Sequence, residues 1–152
     1  MKLSLSLGLL APLALAAVGC GATAHLGAPA GFAHVDGEYD DRVASARGVV
    51  VGARVEKNEP RANLDFWAEA VDLRLRAQGY APEASRDVTA RSGIPGRSLR
   101  YTYWDGTRQN RYWVDVFATE RRVILVEAAG DRSDFDAAAP QLEATMLDVR
   151  VD

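Results

Sequence analysis

Residues 97–129 read RSLRYTYWDGTRQNRYWVDVFATERRVILVEAA, and their alternation decides the fold. Successive side chains of a strand point to opposite faces, so Leu99, Tyr101 and Tyr103 fall on one side and Arg100 and Thr102 on the other. Asp105-Gly106 is a hairpin turn signal, because glycine supplies the positive φ that such a turn requires. Beyond it, Tyr112, Val114, Val116 and Ala118 alternate with Arg111, Trp113, Asp115 and Phe117. Glu120-Arg121-Arg122 turns the chain again, and residues 123–129 form an apolar run expected of a central strand. Three strands joined by short turns make an antiparallel meander.

Working back toward the N-terminus, residues 84–90 read as a strand and residues 92–96 as a loop. A helix is expected over 64–78, where Leu64, Trp67, Ala68, Val71 and Leu75 recur at helical spacing. Asn63 is placed to cap its start and Gly79 to end it as a left-handed cap. Phe66, Ala70 and Leu73 widen the apolar face, which predicts packing on a sheet. Three more strands are expected over 32–35, 39–46 and 49–56. On the C-terminal side, Ser133 or Asp134 caps a helix over 135–147, in which Pro140 marks a kink or a first turn. Residues 148–151 form a last short strand. Strands cluster and helices are segregated to one face, which is α+β: an antiparallel sheet of about six to seven strands with two helices packed on it.

The first twenty residues, MKLSLSLGLLAPLALAAVGC, have one early Lys, an apolar run and a cysteine after small residues. This resembles a bacterial lipoprotein signal peptide, with Ala17-Val18-Gly19-Cys20 as lipobox. Pro12 and the short apolar length disfavour a transmembrane helix. Ala17 stands where Leu is usual, which keeps a plain secretory signal cut near Ala16-Ala17 as the alternative. The resemblance implies removal of residues 1–19 and acylation of Cys20, a palmitate-type anchor in the membrane. Gly21 rather than Asp after the cysteine implies the outer membrane, with the domain facing the periplasm. Cys20 is the sole cysteine, so an internal disulfide is impossible. Residues 20–31, rich in Gly and Ala, read as a flexible tether of at most about 40 Å, leaving 32–152 as a single domain.

The order of elements carries a second resemblance. An early Phe strand (Phe32), a Trp helix ending in Gly79-Tyr80, the loop Gly93-Ile94-Pro95-Gly96, a Tyr-rich meander and a closing Phe135…Leu142…Leu147-Asp148-Val149-Arg150 come in sequence. This looks like the PsbP-like fold, shared by the photosystem II extrinsic protein and by DcrB-type lipoproteins. The resemblance implies an accessory role and transfers no functional residue.

The chemistry is sparse. The net charge of −3 argues against a nucleic-acid partner, which would call for a basic stripe. His25 falls in the expected tether, and His34 beside Asp36 reads as a surface residue. There is no nucleophile elbow, P-loop, dinucleotide fingerprint or Cys-x-x-Cys, so no catalytic residue, metal or cofactor is expected. Asp36, Glu38, Asp40 and Asp41 lack the glycine and terminal Glu spacing of a calcium loop and read as a solvated hairpin edge. Trp104, Trp113, Tyr101, Tyr103, Arg100 and Arg111 gather around one hairpin, and aromatic side chains with Arg are the usual anchors of an interface. The leading expectation is therefore a non-enzymatic envelope lipoprotein whose domain contacts an envelope protein. The alternative holds a small molecule or lipid in a pocket lined by Trp67, Val71, Tyr101 and Phe117.

Overall fold

The structure, a computed structural model, describes residues 21–152. The expected signal peptide and lipobox, with Cys20, lie outside the described residues. Eleven elements follow in order: β1 (Ala24–His25), β2 (Phe32–His34), β3 (Asp41–Ser45), β4 (Val50–Lys57), α1 (Leu64–Ala77), β5 (Ala81–Thr89), β6 (Pro95–Asp105), β7 (Arg108–Ala118), β8 (Arg122–Asp131), α2 (Arg132–Leu147) and β9 (Arg150–Val151). Seven strands form one antiparallel sheet in the order β2-β3-β4-β8-β7-β6-β5, and β1 pairs with β9 in a small second sheet. The α+β reading and the meander β6-β7-β8 are as the alternation predicts.

The two helices lie on opposite faces, not on one. α1 packs on β6 and β7, and α2 packs on β7 and β8. The reason is the central strand itself. Val114 and Val116 of β7 join Leu75, Leu99, Tyr101 and Val123 under α1. Phe117, on the other side of the same strand, joins Val51, Ile124, Val126, Phe135, Leu142 and Met146 under α2. Two apolar faces need two covers. Each fully buried Phe, Leu or Met contributes about 1.5–3 kcal/mol, so neither face can be left open.

Local signals set the helix ends. The Asn63 side chain accepts the Phe66 N–H (2.9 Å). At the other end the Gly79 N–H reaches the Arg76 carbonyl and the Tyr80 N–H the Leu75 carbonyl (3.0 and 3.1 Å), while Gly79 takes φ 91. This paired turn swings the Tyr80 ring back against Leu75. α2 starts earlier than expected, because Asp131 is its cap and accepts the Ser133 N–H (3.0 Å). Pro140 sits inside α2 on its exposed side. Phe66 and Leu73, expected against the sheet, are solvent-facing at 48% and 60% exposure. Seven residues apart on one helix, they share a face that Trp67, Val71 and Leu75 do not.

The expected tether is also shorter. Ala24 and Leu26 are buried in the α2-side core. Asp40 Oδ2 accepts the Ala24 N–H (3.1 Å) and the Val55 N–H (2.9 Å), and Asp41 Oδ2 accepts the Leu26 N–H (2.8 Å). The Asp152 carboxylate holds the Thr23 N–H and the His25 ring. Residues 24–31 are therefore part of the domain. Small residues hid this: Ala24 is buried because it fits the narrow space beside β9, and Gly and Ala give no periodicity to read.

Candidate functional site

The six hairpin residues do not form one surface. Tyr101 is buried under α1, and its hydroxyl donates to Asp72 of that helix (2.6 Å). Burial, then this bond to a carboxylate, holds its hydroxyl well above the usual tyrosine range. Tyr103 lies on the same face beside Tyr80, with ring centroids 5.0 Å apart. Arg100 and Trp113 are on the opposite face. Arg100 donates to Asp115 (2.9 Å), and its guanidinium sits 4.1 Å from the centre of the Trp113 ring, which in turn meets Phe135 edge-on at 4.7 Å. Burial pushes the Asp115 carboxyl up, and the adjacent Arg100 charge opposes that shift. Arg111 binds Glu83 (2.8 Å) and Asp136 (2.9 Å), tying β5 to α2. Trp104 alone projects, at 64% exposure. Strand alternation splits the set: residues adjacent in sequence on a hairpin face opposite ways.

The acidic cluster has a structural use. Asp40 and Asp41 staple the N-terminal segment as described, and Asp41 also meets the His34 ring (2.9 Å). Burial raises the Asp41 carboxyl, but the Leu26 amide and His34 outweigh it and leave it below the ordinary carboxylate value. Among the described residues no group of three His, Cys, Asp or Glu side chains is arranged to hold a metal ion, and no helix is long and apolar enough to cross a membrane.

Three surfaces stand out. The first is β5, a nine-residue edge strand in which every residue but Val88 is exposed. Between β5–β6 and α1 runs an open groove of about 540 Å³, floored by Ala68, Leu99 and Tyr101 and rimmed by Asp65, Glu69 and Arg97. The second is a shallow cleft of about 230 Å³ where Trp67 and Val71 face Val123 and Leu125. The pocket expected from Trp67, Val71, Tyr101 and Phe117 together is not formed, since Tyr101 and Phe117 are core residues on opposite faces.

The third is a more enclosed cavity of about 200 Å³ at the C-terminal end of α1. Tyr39, Tyr80, Tyr112, Arg54, Arg74 and Glu127 line it together with aliphatic side chains. Tyr112 donates its hydroxyl to Glu127 Oε1. Burial first and the Glu127 charge second push the hydroxyls of Tyr39 and Tyr112 above the usual tyrosine range, so both remain donors. Arg54 Nη2 is 3.7 Å from Glu127 Oε2, too far for a hydrogen bond. Among the described residues, Arg54 Nε and Glu127 Oε2 are buried and have no hydrogen-bond partner. Tyr39 reaches this place because Gly52 gives it room: a Cβ there would lie 2.6 Å from the Tyr39 ring. The sequence signal was Glu127, the one acid in the apolar run 123–129, on the same side as Val123 and Leu125.

No family model matches this chain, and no curated protein does. Solved structures do match. LpqN of Mycobacterium tuberculosis, described as involved in cell envelope biogenesis, superposes with TM-score 0.69 at 9% identity, covering 86% of this chain and 84% of LpqN. The PsbP protein of the cyanobacterium Synechocystis sp. PCC 6803 (CyanoP) superposes with TM-score 0.55 at 12% identity, covering 93% of this chain and 100% of CyanoP. The fold is PsbP-like. A Pseudomonas aeruginosa protein of unknown function, PA94, shares it with TM-score 0.55 at 12% identity, covering 84% and 80% of the two chains. At these identities the PsbP-like fold is common ground and side-chain roles are not.

Proposed function

We propose that this chain is a non-enzymatic cell-envelope lipoprotein whose domain serves as a protein-interaction module, and that the β5 edge is where the partner binds. The observation that carries the reading is β5 itself. A long edge strand offers unpaired backbone N–H and C=O groups along its length. Neither helix covers it, and Trp104 projects from the neighbouring strand. An extended segment of a partner would add to the sheet as an eighth strand, with its side chains reaching the groove beside α1. The envelope setting is supported by the start of the sequence and by the likeness of fold to LpqN.

Acylation of Cys20 would hold the domain close to the bilayer, facing the periplasm. The domain begins at Thr23 and Ala24, so the free tether shrinks to residues 21–22, about 7 Å of extended chain.

Two experiments test these parts separately. Photo-crosslinkers at Ser85 and Trp104 should yield a discrete adduct in intact cells, whereas one at Ala33 on the far edge should not; equal adducts at all three positions would remove β5 as the interface. Cys20→Ala should abolish lipid labelling, and globomycin should leave a larger precursor that keeps residues 1–19; lipid labelling that survives Cys20→Ala would refute the anchor.

A further inference from the structure

We propose that the cavity at the C-terminal end of α1 binds a small zwitterion of amino-acid size, with its carboxylate received by Arg54 and Arg74 and its ammonium group by Glu127. The site lies on the side of α1 facing β8 and β4, away from the β5 edge, and shares no lining residue with the groove beside that edge.

Size comes first. At about 200 Å³ the cavity is smaller than the sites that hold drug-sized ligands, commonly about 300–1,000 Å³.

Charge decides the class. Two guanidinium groups and one carboxylate line the space. Arg74 makes no ion pair among the described residues. Arg54 lies 3.7 Å from Glu127 and, through Nε, 4.0 Å from the exposed Glu56, and among the described residues Arg54 Nε and Glu127 Oε2 are buried with no hydrogen-bond partner. A simple cation would face two guanidinium groups. A simple anion would leave Glu127 Oε2 bare. A molecule carrying both charges close together meets the guanidinium groups and the Glu127 carboxylate at once, with charge-assisted hydrogen bonds on each side.

The remaining walls set the side chain. Tyr39, Tyr80 and Tyr112 with Leu75 and Leu125 offer aromatic and aliphatic surface, and the Tyr80 and Tyr112 rings are only 4.9 Å apart. An apolar or aromatic amino acid fits this lining. The Schellman-type turn at Gly79 fixes Tyr80, and Gly52 fixes Tyr39, so the walls are set by the fold rather than assembled by the ligand.

The test uses the full chain purified in mild detergent. Phenylalanine and leucine, in both enantiomers, are titrated by calorimetry and by NMR of the tyrosine rings, beside 3-phenylpropionate and phenethylamine, which each lack one of the charges. Saturable binding of at least one amino acid is expected, with each half-charged analogue of phenylalanine about tenfold weaker or more. Arg74→Ala alters only an exposed side chain and should weaken binding about fivefold or more. Glu127→Gln keeps an oxygen for the Tyr112 hydroxyl and should weaken binding similarly with an unchanged thermal midpoint. Should Glu127→Gln fail to fold, Arg74→Ala and the analogues decide. The proposal falls if no amino acid saturates the protein by about 10 mM. It falls equally if 3-phenylpropionate binds as tightly as phenylalanine, or if the folded variants bind like the unaltered protein.

Discussion

Two clusters of arginine and acid sit on opposite faces of the sheet, each beside the helix on its own face. Under the α2 side, Arg100 and Asp115 meet at 2.9 Å with side chains 9% and 1% exposed, and Trp113 stacks on the guanidinium. Under the α1 side, Arg54 and Glu127 stand 3.7 Å apart, with Arg54 36% exposed, beside a cavity walled by tyrosines. Asp115 Oδ2 and the Ser98 hydroxyl opposite it also lack partners, but Asp115 is fully buried and borders none of the cavities described above. The same residue types thus do different work. The tight pair closes a gap in the core, and the loose pair leaves hydrogen-bonding capacity facing a space.

That contrast can be broken by substitution. Asp115→Ala should have the largest effect, because it strands a buried guanidinium; a loss of about 3–5 kcal/mol is expected in urea unfolding. A loss below about 1 kcal/mol would mean that Arg100 turns to Glu143, now 3.9 Å away. Gly52→Ala comes next. Its Cβ would displace the Tyr39 ring, costing about 1–3 kcal/mol and shifting the Tyr39 resonances, while the Arg100 cluster stays unaltered. Arg54→Ala should cost less than about 1 kcal/mol, since its pair is loose and partly exposed. A loss matching that of Asp115→Ala would show the two clusters to be equivalent.

The smallest expected effect concerns pH. Asp41 is held below the ordinary carboxylate value in the folded protein, so its stabilisation of the N-terminal segment is complete above about pH 4 and is lost as pH falls through its lower folded value. The Leu26 amide resonance should hold from neutral pH down to about 5 and move below about 4; Asp41→Asn should remove that acid step. An unchanged step in the variant would assign the staple to another group.

Much of this was legible in the chain. The alternation of residues 97–129 gave three strands and their turns, and Asn63 and Gly79 gave the ends of α1, because these signals act between near neighbours. The cavity was not legible. Tyr39, Arg54, Tyr80, Tyr112 and Glu127 come from separate elements or the turns beside them, and the pairing of β3 with β4, β4 with β8 and β8 with β7, together with α1 packed on β6 and β7, brings them together.

The sequence by itself determined the α+β class, the meander and the strand faces, since backbone geometry ties side-chain direction to position in the chain. Only the tertiary structure decided that the helices lie on opposite faces, that Ala24 and Leu26 belong to the core and that Phe66 and Leu73 do not. Those outcomes depend on which apolar surfaces meet, and burial rewards any apolar contact without regard to distance along the chain. A pattern of apolar residues states that a face will be covered; the packed molecule states by what.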